Sequence, residues 1–268
     1  MAIFVRRYRP SDLAAVDRIT TAAYGHPMNP GMESRLAAGA RNAFVAEHDG
    51  TAAGFVMATD YGGVAYVASM GVDPAYQRLG IARAMMTRLV EQLERAGVTG
   101  MLLDATGSGA PLYESFGFAG TDRTLVYERQ PRSAAPVAPP PISAEDLTRA
   151  ETIDREICGC DRGAVLRAFA DEPGAFLILH EHGYAIAREH TLGPWVARSP
   201  DAARALLHEA LGAGPALRRI FIPECNRAAL QLAESSGFVR ARSLRHMERG
   251  PSPFQRTLIF GQASLGHG

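Results

Sequence analysis

Two segments of this 268-residue sequence share a pattern that indicates an internal duplication. Residues 113–118 read YESFGF, and residues 233–238 read AESSGF. Nine residues after the last Phe of each segment stands a hydrophobic residue, Tyr127 or Met247, which is followed by Glu-Arg. Because the flanking residues and the spacing agree as well as the Gly-Phe pair, the pattern predicts two copies of one folding unit.

A proline-rich stretch separates the two copies. Residues 131–141 read PRSAAPVAPPP, which has too much proline for a helix or a central strand and too few large apolar side chains for a core. We therefore expect two domains, residues 1–130 and 143–268, joined by a semi-rigid linker at residues 131–142. The hydrophobic content of 47% is high enough for a core in each domain.

Composition excludes several classes of function. The formal net charge is zero, so no overall field draws the chain to nucleic acid or to an anionic membrane. Lysine is absent, which rules out Schiff-base and lysine-nucleophile chemistry. Three cysteines, Cys158, Cys160 and Cys225, do not have the spacing of a disulfide framework or a zinc site. We expect a cytoplasmic chain, since no apolar run is long enough for a signal peptide or a membrane span.

The hydrophobic pattern predicts an α+β fold for both copies. The first copy predicts a strand, a helix, a three-strand meander, and then a helix, strand, helix and strand in that order. The helix after the meander has the clearest pattern, because Ile81, Met85, Leu89 and Leu93 recur at every fourth position. The hydrophobic pattern of the second copy predicts a similar series of helices and strands. We therefore expect mixed, mostly antiparallel twisted sheets flanked by helices.

The loop before that helix is a candidate anion site. In QRLGIA, residues 77–82, small residues at the fourth and sixth positions allow a tight turn that exposes several N–H groups at a helix start. Such amides and the positive end of the helix dipole suit a pyrophosphate, and Arg78 and Arg83 add positive charge. A glycine before a helix is more often a plain turn, so the hexapeptide alone leaves both interpretations open.

The residues around the loop make the signal specific. The segment MGVDPAYQRLGIARAMM resembles motif A of the GNAT superfamily of acyl-CoA N-acyltransferases, with the pattern Q/R-x-x-G-x-G/A, and LYESFGF resembles motif B. The resemblance covers nearly all of residues 1–130 and implies acetyl-CoA as co-substrate. It implies that the strand residues Met70, Gly71 and Val72 pair with the pantetheine arm, and that one of their amides polarises the thioester carbonyl. For the pyrophosphate it implies backbone contacts from Gln77, Arg78, Leu79, Gly80, Ile81, Ala82 and Arg83.

The match to motif B implies a role for Tyr113. In the family, the tyrosine at this position often hydrogen-bonds the departing thiolate, so Tyr113 is our candidate general acid. The alternative is that Tyr113 is only a core aromatic residue without a catalytic role. Seven residues earlier the family commonly has Asn, whereas this chain has Thr106, whose hydroxyl keeps it a candidate coenzyme contact.

The acceptor amine has to lose a proton, so a carboxylate, a histidine or a water chain is expected near the thioester. His26, Glu33, Asp60 and Asp73 are candidates, and none has a local signature that singles it out. In the family, the loop that here contains His26 and Asn29 frequently lines the acceptor pocket. A solvated loop is the alternative interpretation of these residues.

The second copy lacks this chemistry. Compared with GVDPAYQRLGIARAMM, the segment GPWVARSPDAARALL reaches its helix about three residues sooner and has no QxxGxA sequence, and Ala233 replaces Tyr113. We interpret residues 143–268 as a degenerate GNAT-like domain without catalysis, as in tandem GNAT proteins. We expect it to wall the acceptor pocket, with Trp195 in the wall or as buried support, or to form a homodimer through AARALLHEAL.

These features predict an acetyl-CoA-dependent N-acetyltransferase that acts on the primary amine of a small molecule. We expect no metal and no nucleic-acid or membrane partner. Two alternatives remain: an enzyme that acetylates a protein or peptide, and a module that binds or senses coenzyme A without turnover. Neutral charge and the second domain favour a compact acceptor.

Overall fold

The computed structural model describes residues 2–25, 36, 40–130, 141–188, 190–213 and 217–268. The chain divides into two compact units. Unit 1 consists of Met1–Leu103, Gly109–Ala119 and Glu248–Ser252, and unit 2 of Asp104–Ser108, Gly120–Met247 and Pro253–Gly268. Neither unit is one continuous stretch of chain, so the units do not coincide with the two halves of the sequence. The domain boundaries at residues 130 and 143 stay a prediction, and residues 131–140 of the expected linker lie outside the described residues.

Unit 1 contains a mixed sheet with helices packed on it. Its strands are β1 (Ile3–Arg7), β2 (Ala43–His48), β3 (Thr51–Asp60), β4 (Val64–Val72) and β5 (Gly100–Ala105), the last of which continues into unit 2. Its helices are α1 (Leu13–Tyr24), α2 (Ile81–Arg95) and α3 (Ala110–Glu114). The strands lie in the order β1-β2-β3-β4-β5, with antiparallel neighbours except for β4 and β5, which are parallel.

The helices α1 and α2 pack on opposite faces of this sheet. A Cβ on Gly71 of β4 would lie 3.4 Å from the Cβ of Ala23 on α1. On β3, Gly54 pairs with Val72, the residue after Gly71, and therefore faces the other side. A Cβ on Gly54 would lie 2.8 Å from Ile81 of α2, so only glycine permits this close approach of helix and strand.

Both faces of the sheet in unit 1 bury an apolar stripe. On α2, the stripe predicted from the sequence is confirmed, since all four of its members, Ile81, Met85, Leu89 and Leu93, are buried. On the α1 face, the buried cluster includes Val16, Ile19, Val45, Phe55 and Met57. Packing on both faces of the sheet holds β4 in place between its neighbouring strands. It also holds the start of α2 next to the sheet.

Unit 2 contains a second mixed sheet. The strands that lie wholly or mainly in it are β6 (Ala119–Glu128), β7 (Phe176–His180), β8 (Gly183–Arg188), β9 (Thr191–Ala197), β10 (Arg219–Pro223), β11 (Val239–Arg249) and β12 (Ile259–Gly261). Its helices are α4 (Ala144–Cys158), α5 (Gly163–Ala170), α6 (Pro200–Ala213) and α7 (Arg227–Ser235). The order is β11-β6-β10-β9-β8-β7, and β12 pairs with β9. Among the described residues of this unit, β9 and β10 form a parallel pair, whereas β10–β6, β12–β9, β7–β8 and β8–β9 are antiparallel, so the predicted mixed, mostly antiparallel fold is confirmed.

The repeated segments adopt the same local geometry. The Phe118 N–H donates to the Tyr113 carbonyl oxygen at 3.2 Å, and the Phe238 N–H donates to the Ala233 carbonyl oxygen at 3.0 Å. The glycine before each Phe has a φ of 83°. A left-handed residue therefore ends α3 and α7 in the same way, and each turn leads directly into a strand.

Candidate active site

A bulge interrupts β4 in the middle of unit 1. The β3–β4 ladder changes register between Phe55 and Met57, so that one residue of β3 faces two of β4, Ser69 and Met70. Ser69 has a φ of 53°, in the left-handed region that residues other than glycine seldom adopt. A bulge bends its strand and redirects the backbone beyond it. The candidate pantetheine contacts Met70, Gly71 and Val72 occupy this redirected segment.

The strands β4 and β5 form a fork. Their parallel ladder pairs Val64–Tyr66 with Gly100–Leu102, and within these two fully described strands no pair continues beyond that point. The β4 edge that faces the fork therefore has no neighbouring strand over its last residues. An extended chain with amide groups can add to such an edge as an extra strand. The three candidate pantetheine contacts lie on this open part of β4.

The loop from β4 to α2 adopts the geometry of an anion cradle. Arg78 has a φ of 64° and Gly80 a φ of 88°, and left-handed residues within a turn direct successive N–H groups to one side. Gly80 precedes α2 and supplies no side-chain cap to the first turn. Within the part of the chain that the structure describes, no hydrogen bond is recorded from the amides of Arg78, Leu79, Gly80, Ile81, Ala82 and Arg83. These amides are available to an anion at the positive end of the helix.

Gln77 differs from the other predicted cradle residues. Its N–H donates to the Pro74 carbonyl oxygen at 3.5 Å, and its side-chain amide donates to the Val72 carbonyl oxygen at the same distance. Both hydrogen bonds are long, so they hold Gln77 only weakly. Gln77 thus makes weak contacts that close the loop onto β4, and its role as a phosphate contact stays a prediction.

Asp73 braces the start of the loop. One of its carboxylate oxygens accepts the Ala75 N–H at 3.0 Å, and the other lies 2.6 Å from the guanidinium of Arg18 on α1. Asp60, the other carboxylate considered as a base, accepts the Gly62 N–H at 2.9 Å in the turn before β4. Both carboxylates therefore hold backbone turns in place.

The environment of the Tyr113 side chain is compatible with both interpretations of this residue, a core aromatic and a proton donor. Its ring is 9% exposed and packs edge-on against Phe118, with ring centres 6.1 Å apart. In the described part of the chain, its hydroxyl has no recorded hydrogen-bond partner. Burial raises the pKa of Tyr113 to about 12, so the phenol stays protonated at neutral pH. Tyr113 thus combines a core ring with a protonated hydroxyl.

Sequence reasoning missed a second tyrosine, Tyr24. Its hydroxyl donates to the Met70 carbonyl oxygen at 2.7 Å, directly at the β4 bulge. Burial of the phenol, followed by the negative charge that Tyr113 would carry if ionised, raises the pKa of Tyr24 above its usual range. In the sequence, Tyr24 is only the last residue of an amphipathic helix, and no local pattern distinguishes it.

Comparisons with known families agree with this geometry. A model described as Acetyltransferase (GNAT) family matches residues 13–118, and one described as Acetyltransferase (GNAT) domain matches residues 150–261. The chain belongs to the GNAT family. The resemblance of motifs A and B is thereby confirmed, and each half of the sequence contains one GNAT domain.

Known GNAT proteins resemble the chain to different extents. A crystal structure of a putative acetyltransferase from Pyrococcus horikoshii superposes with a TM-score of 0.85 at 28% identity, over 99% of this chain and 96% of that one. A GCN5-related N-acetyltransferase from Sphaerobacter thermophilus shares the fold, with a TM-score of 0.68 at 15% identity over 94% of this chain and 96% of that one. The ribosomal protein bS18-alanine N-acetyltransferase of Escherichia coli K12 is 43% identical over 53 residues, or 19% of this chain and 36% of that protein. The chain thus spans about a third of the length of the curated relatives it matches.

Several predicted site residues are not brought together by the described structure. His26, Asn29 and Glu33 lie outside the described residues. Thr106 belongs to unit 2, where its exposed hydroxyl lies 3.2 Å from that of Ser108. Its coenzyme contact stays a prediction. In the described ranges, no group of three or more His, Cys, Asp or Glu residues is placed to hold a metal ion. No helix there combines the length and apolar character needed to cross a membrane.

The loop between β9 and α6 in the second GNAT domain differs from the loop between β4 and α2. Only Arg198 and Ser199 lie between β9 and α6, compared with the eight residues 73–80 between β4 and α2. Counted from the aligned glycines Gly193 and Gly71, α6 begins three residues sooner than α2, as the alignment predicted, and β9 continues to Ala197. The Ser199 hydroxyl accepts the Ala202 N–H at 3.2 Å. A side-chain cap thus binds an amide of the first turn, whereas in α2 the corresponding amides stay open.

The fork of the second GNAT domain is filled by the chain itself. The β9–β10 ladder pairs only Thr191 and Leu192 with their partners before the strands separate. The strand β12 runs antiparallel to β9 beyond that point, and the Gln262 N–H just after it donates to the Phe221 carbonyl oxygen of β10 at 2.7 Å. Chain residues thus bind both edges of the opened ladder.

Trp195 is buried support rather than a pocket wall. It pairs with Gly261 of β12 and is fully buried, with its ring centre 5.3 Å from that of Phe260. The alternative in which Trp195 lines an acceptor pocket does not fit this position. At the motif B position, Ala233 is also fully buried in the same core cluster, so no hydroxyl is present there.

Proposed function

We propose that the chain is an acetyl-CoA-dependent N-acetyltransferase that acetylates a primary amine by direct attack in a ternary complex. The amine nitrogen attacks the thioester carbonyl carbon, the carbon–sulfur bond breaks, sulfur leaves as a thiolate, and the amine loses a proton to solvent or a base. The observation that supports this proposal most directly is the juxtaposition of the open amides at residues 78–83 with the open edge of β4.

The residues present fit acetyl-CoA. The amides of Arg78–Arg83 supply several donors at a helix N-terminus, which suits the two negative charges of a pyrophosphate. The two arginines of this segment, Arg78 and Arg83, are exposed and add positive charge nearby. Along β4, Met70, Gly71 and Val72 offer backbone groups to the amides of a pantetheine arm. These residues would hold acetyl-CoA by the amide groups of its pantetheine arm and by its pyrophosphate.

The backbone beyond the bulge would stabilise the oxyanion of the transition state. An amide that is fixed before the reaction begins stabilises developing negative charge without reorganisation. In β4, the bulge at Ser69 and Met70 directs the following backbone away from the regular ladder. We assign the polarising amide to Met70 or Val72, because the Asp73 N–H bonds Ala53 of β3 and successive residues of a strand direct their N–H groups to opposite edges, which leaves the amides of Val72 and Met70 on the open edge.

The Tyr113 hydroxyl would donate a hydrogen bond to the departing sulfur. A thiol has a pKa of about 8.5, several units below the pKa of about 12 for Tyr113. Complete proton transfer from this phenol to a thiolate is therefore uphill, whereas a hydrogen bond to the developing negative charge is favourable. Tyr113 would therefore act as a hydrogen-bond donor to the sulfur rather than as the general acid expected from motif B.

The acceptor has two candidates. The sequence favoured the amine of a small molecule, on account of neutral charge and the second domain. The 43% identity over 53 residues to an enzyme named for the alanine of a ribosomal protein favours a protein amine instead. This match is the specific observation behind the second candidate, and it covers only 19% of the chain.

A thiol-release assay tests both the activity and the acceptor class. The purified chain would be incubated with acetyl-CoA and either small amines or peptides with N-terminal alanine, and products would be identified by mass. Release of CoA with one class only assigns the acceptor. Tight acetyl-CoA binding without release for any amine would instead support the coenzyme A binding module. Tyr113→Phe is the matched variant, because it removes one hydroxyl and keeps the buried ring.

A further inference from the structure

We propose that Tyr24 is a positioning residue that fixes the bulged segment of β4 for acetyl transfer. The inference rests on the proposed function and adds a residue to the same site. Tyr24 lies at the end of α1, 46 residues before the carbonyl group that it binds.

The contact joins a helix end to the bulge. Gly25 has a φ of 78° and its N–H donates to the Thr21 carbonyl oxygen at 2.8 Å, which ends α1 at Tyr24. The Tyr24 hydroxyl then donates to the Met70 carbonyl oxygen at 2.7 Å. Its ring lies beside the next residue, since a Cβ on Gly71 would be 3.9 Å from Cε2 of Tyr24. Hydrogen bond and ring thus contact two successive residues of the open strand.

A bulge needs such support, because its extra residue lies outside the regular ladder. Ser69 already carries the cost of a left-handed conformation, which persists only where surrounding contacts enforce it. The C=O and N–H groups of one strand residue point to the same edge of the strand, so the Met70 carbonyl and the Met70 N–H share the open edge. A hydrogen bond that holds the Met70 carbonyl therefore also fixes the Met70 N–H, and Met70 is one of the two candidates for the polarising amide.

The chemistry of Tyr24 fits positioning rather than proton transfer. Burial and the neighbouring Tyr113 phenol raise the pKa of Tyr24, so it stays protonated and cannot serve as the base that deprotonates the amine. Tyr24 as a whole residue is 44% exposed, whereas its hydroxyl, which sets this pKa, is enclosed by neighbouring atoms. Its ring thus presents an aromatic surface beside the acyl site.

Tyr24→Phe in the full chain tests the inference, because it removes the hydroxyl and keeps the ring on Gly71. We expect kcat to fall roughly tenfold, in line with the loss of one hydrogen bond. The dissociation constant of acetyl-CoA should rise about threefold, whereas that of CoA, which lacks the acyl group, should stay within about twofold. Tyr8→Phe is the matched control in unit 1, and we expect its kcat and both affinities to stay near those of the wild type.

Two results would overturn the role of Tyr24. One is a kcat and an acetyl-CoA affinity that are unchanged in Tyr24→Phe. The other is an equal loss of CoA and acetyl-CoA affinity together with a lower melting temperature, which would indicate a general structural role. If the wild-type chain acetylates no amine, the proposed function fails separately, and the acetyl-CoA to CoA affinity ratio still decides whether Tyr24 orients the acyl site.

Discussion

Arg18 holds Asp73 at the start of the cradle, with Nη1 of the arginine 2.6 Å from Oδ2 of the aspartate. The same guanidinium donates to the Ala52 carbonyl oxygen at 2.7 Å. One side chain of α1 thus joins β3 to the loop that follows β4. The position of the cradle therefore depends on a helix that contributes no amide to it.

We expect Asp73→Ala to weaken acetyl-CoA binding roughly fivefold, about 1 kcal/mol, because the loop loses a partly exposed ion pair and a turn hydrogen bond. Isothermal titration calorimetry would measure the change. Asp60→Ala, which alters a different turn of unit 1, should bind acetyl-CoA like the wild type. An unchanged affinity with a collapse of kcat in Asp73→Ala would instead restore Asp73 as the general base.

Gly80→Ala should lower both stability and coenzyme affinity. Gly80 has a φ of 88°, and a left-handed conformation costs an L-residue about 1–2 kcal/mol. If the loop relaxes to avoid this cost, the amides of the first turn lose their common direction, and acetyl-CoA affinity should fall roughly tenfold. Thermal unfolding with and without acetyl-CoA would measure both effects.

Gly212→Ala is the control for Gly80→Ala. Gly212 lies in the last turn of α6, with nothing within 4 Å of its Cβ position and no left-handed φ. Alanine there should stabilise the chain by roughly 0.5–1 kcal/mol. Equal effects of the two substitutions would contradict a special conformation at Gly80.

We expect that ionisation of Tyr113 does not lower kcat/KM as the pH rises through the working range. Its raised pKa of about 12 keeps the phenol protonated, and any contribution of the proton would be lost only as the pH rises through that value. Between about pH 7 and 10, the rate should instead increase as the acceptor amine loses its proton. The midpoint should lie near 8 for an α-amine and above 10 for a lysine-like amine.

Profiles of the wild type and of Tyr113→Phe would test this expectation. The two curves should have the same shape, with a lower plateau for Tyr113→Phe. A descending limb below about pH 10 that disappears in Tyr113→Phe would mean that the phenol titrates in the working range, against the burial seen in the structure.

The chain should bind one molecule of CoA. The second fork is occupied by β12, and a Cβ on Gly193 of β9 would lie 2.1 Å from the Gln262 carbonyl oxygen, so the strands are in close backbone contact there. Calorimetric titration should give a stoichiometry of one, and Gly80→Ala should weaken that single site. A stoichiometry of two would contradict the assignment of β12.

Residues 143–268 should not fold stably alone. Within unit 2, β6 forms five register pairs with β10, and its Leu125 and Tyr127 belong to the buried core. Loss of two such side chains removes roughly 3–6 kcal/mol of burial, comparable with the total stability of many domains. Circular dichroism should show a cooperative transition for residues 104–268 but none for residues 143–268. A stable, cooperative fragment 143–268 would refute this view of β6.

Local patterns were sufficient to predict the framework. The buried stripe of α2 followed from the spacing of Ile81, Met85, Leu89 and Leu93, and the paired turns before Phe118 and Phe238 followed from the repeat. Such features depend on residues close together in the chain. The coenzyme contacts and Tyr113 as a donor stay predictions, because binding is what would test them.

The remaining features depend on partners far apart in sequence. Tyr24 and Met70 are 46 residues apart, and nothing near either residue predicts their hydrogen bond. The bulge at Ser69 comes from the register of two strands rather than from a glycine or proline signal. Likewise, the short segment Ile259–Gly261 gives no local indication that it completes an opened ladder.

The segment Glu248–Ser252 sets the order in which this protein can be completed during synthesis. In unit 1, Arg249 donates to Glu94 at 2.6 Å, and Gly250 lies so close to Thr99 that a Cβ would be 2.1 Å from its carbonyl oxygen. These contacts cannot form until residue 252 has left the ribosome, on the order of ten seconds after β5 at ordinary elongation rates. Unit 1 of a nascent chain therefore stays unfinished while most of unit 2 is made, and premature termination before residue 248 would leave unit 1 without this segment.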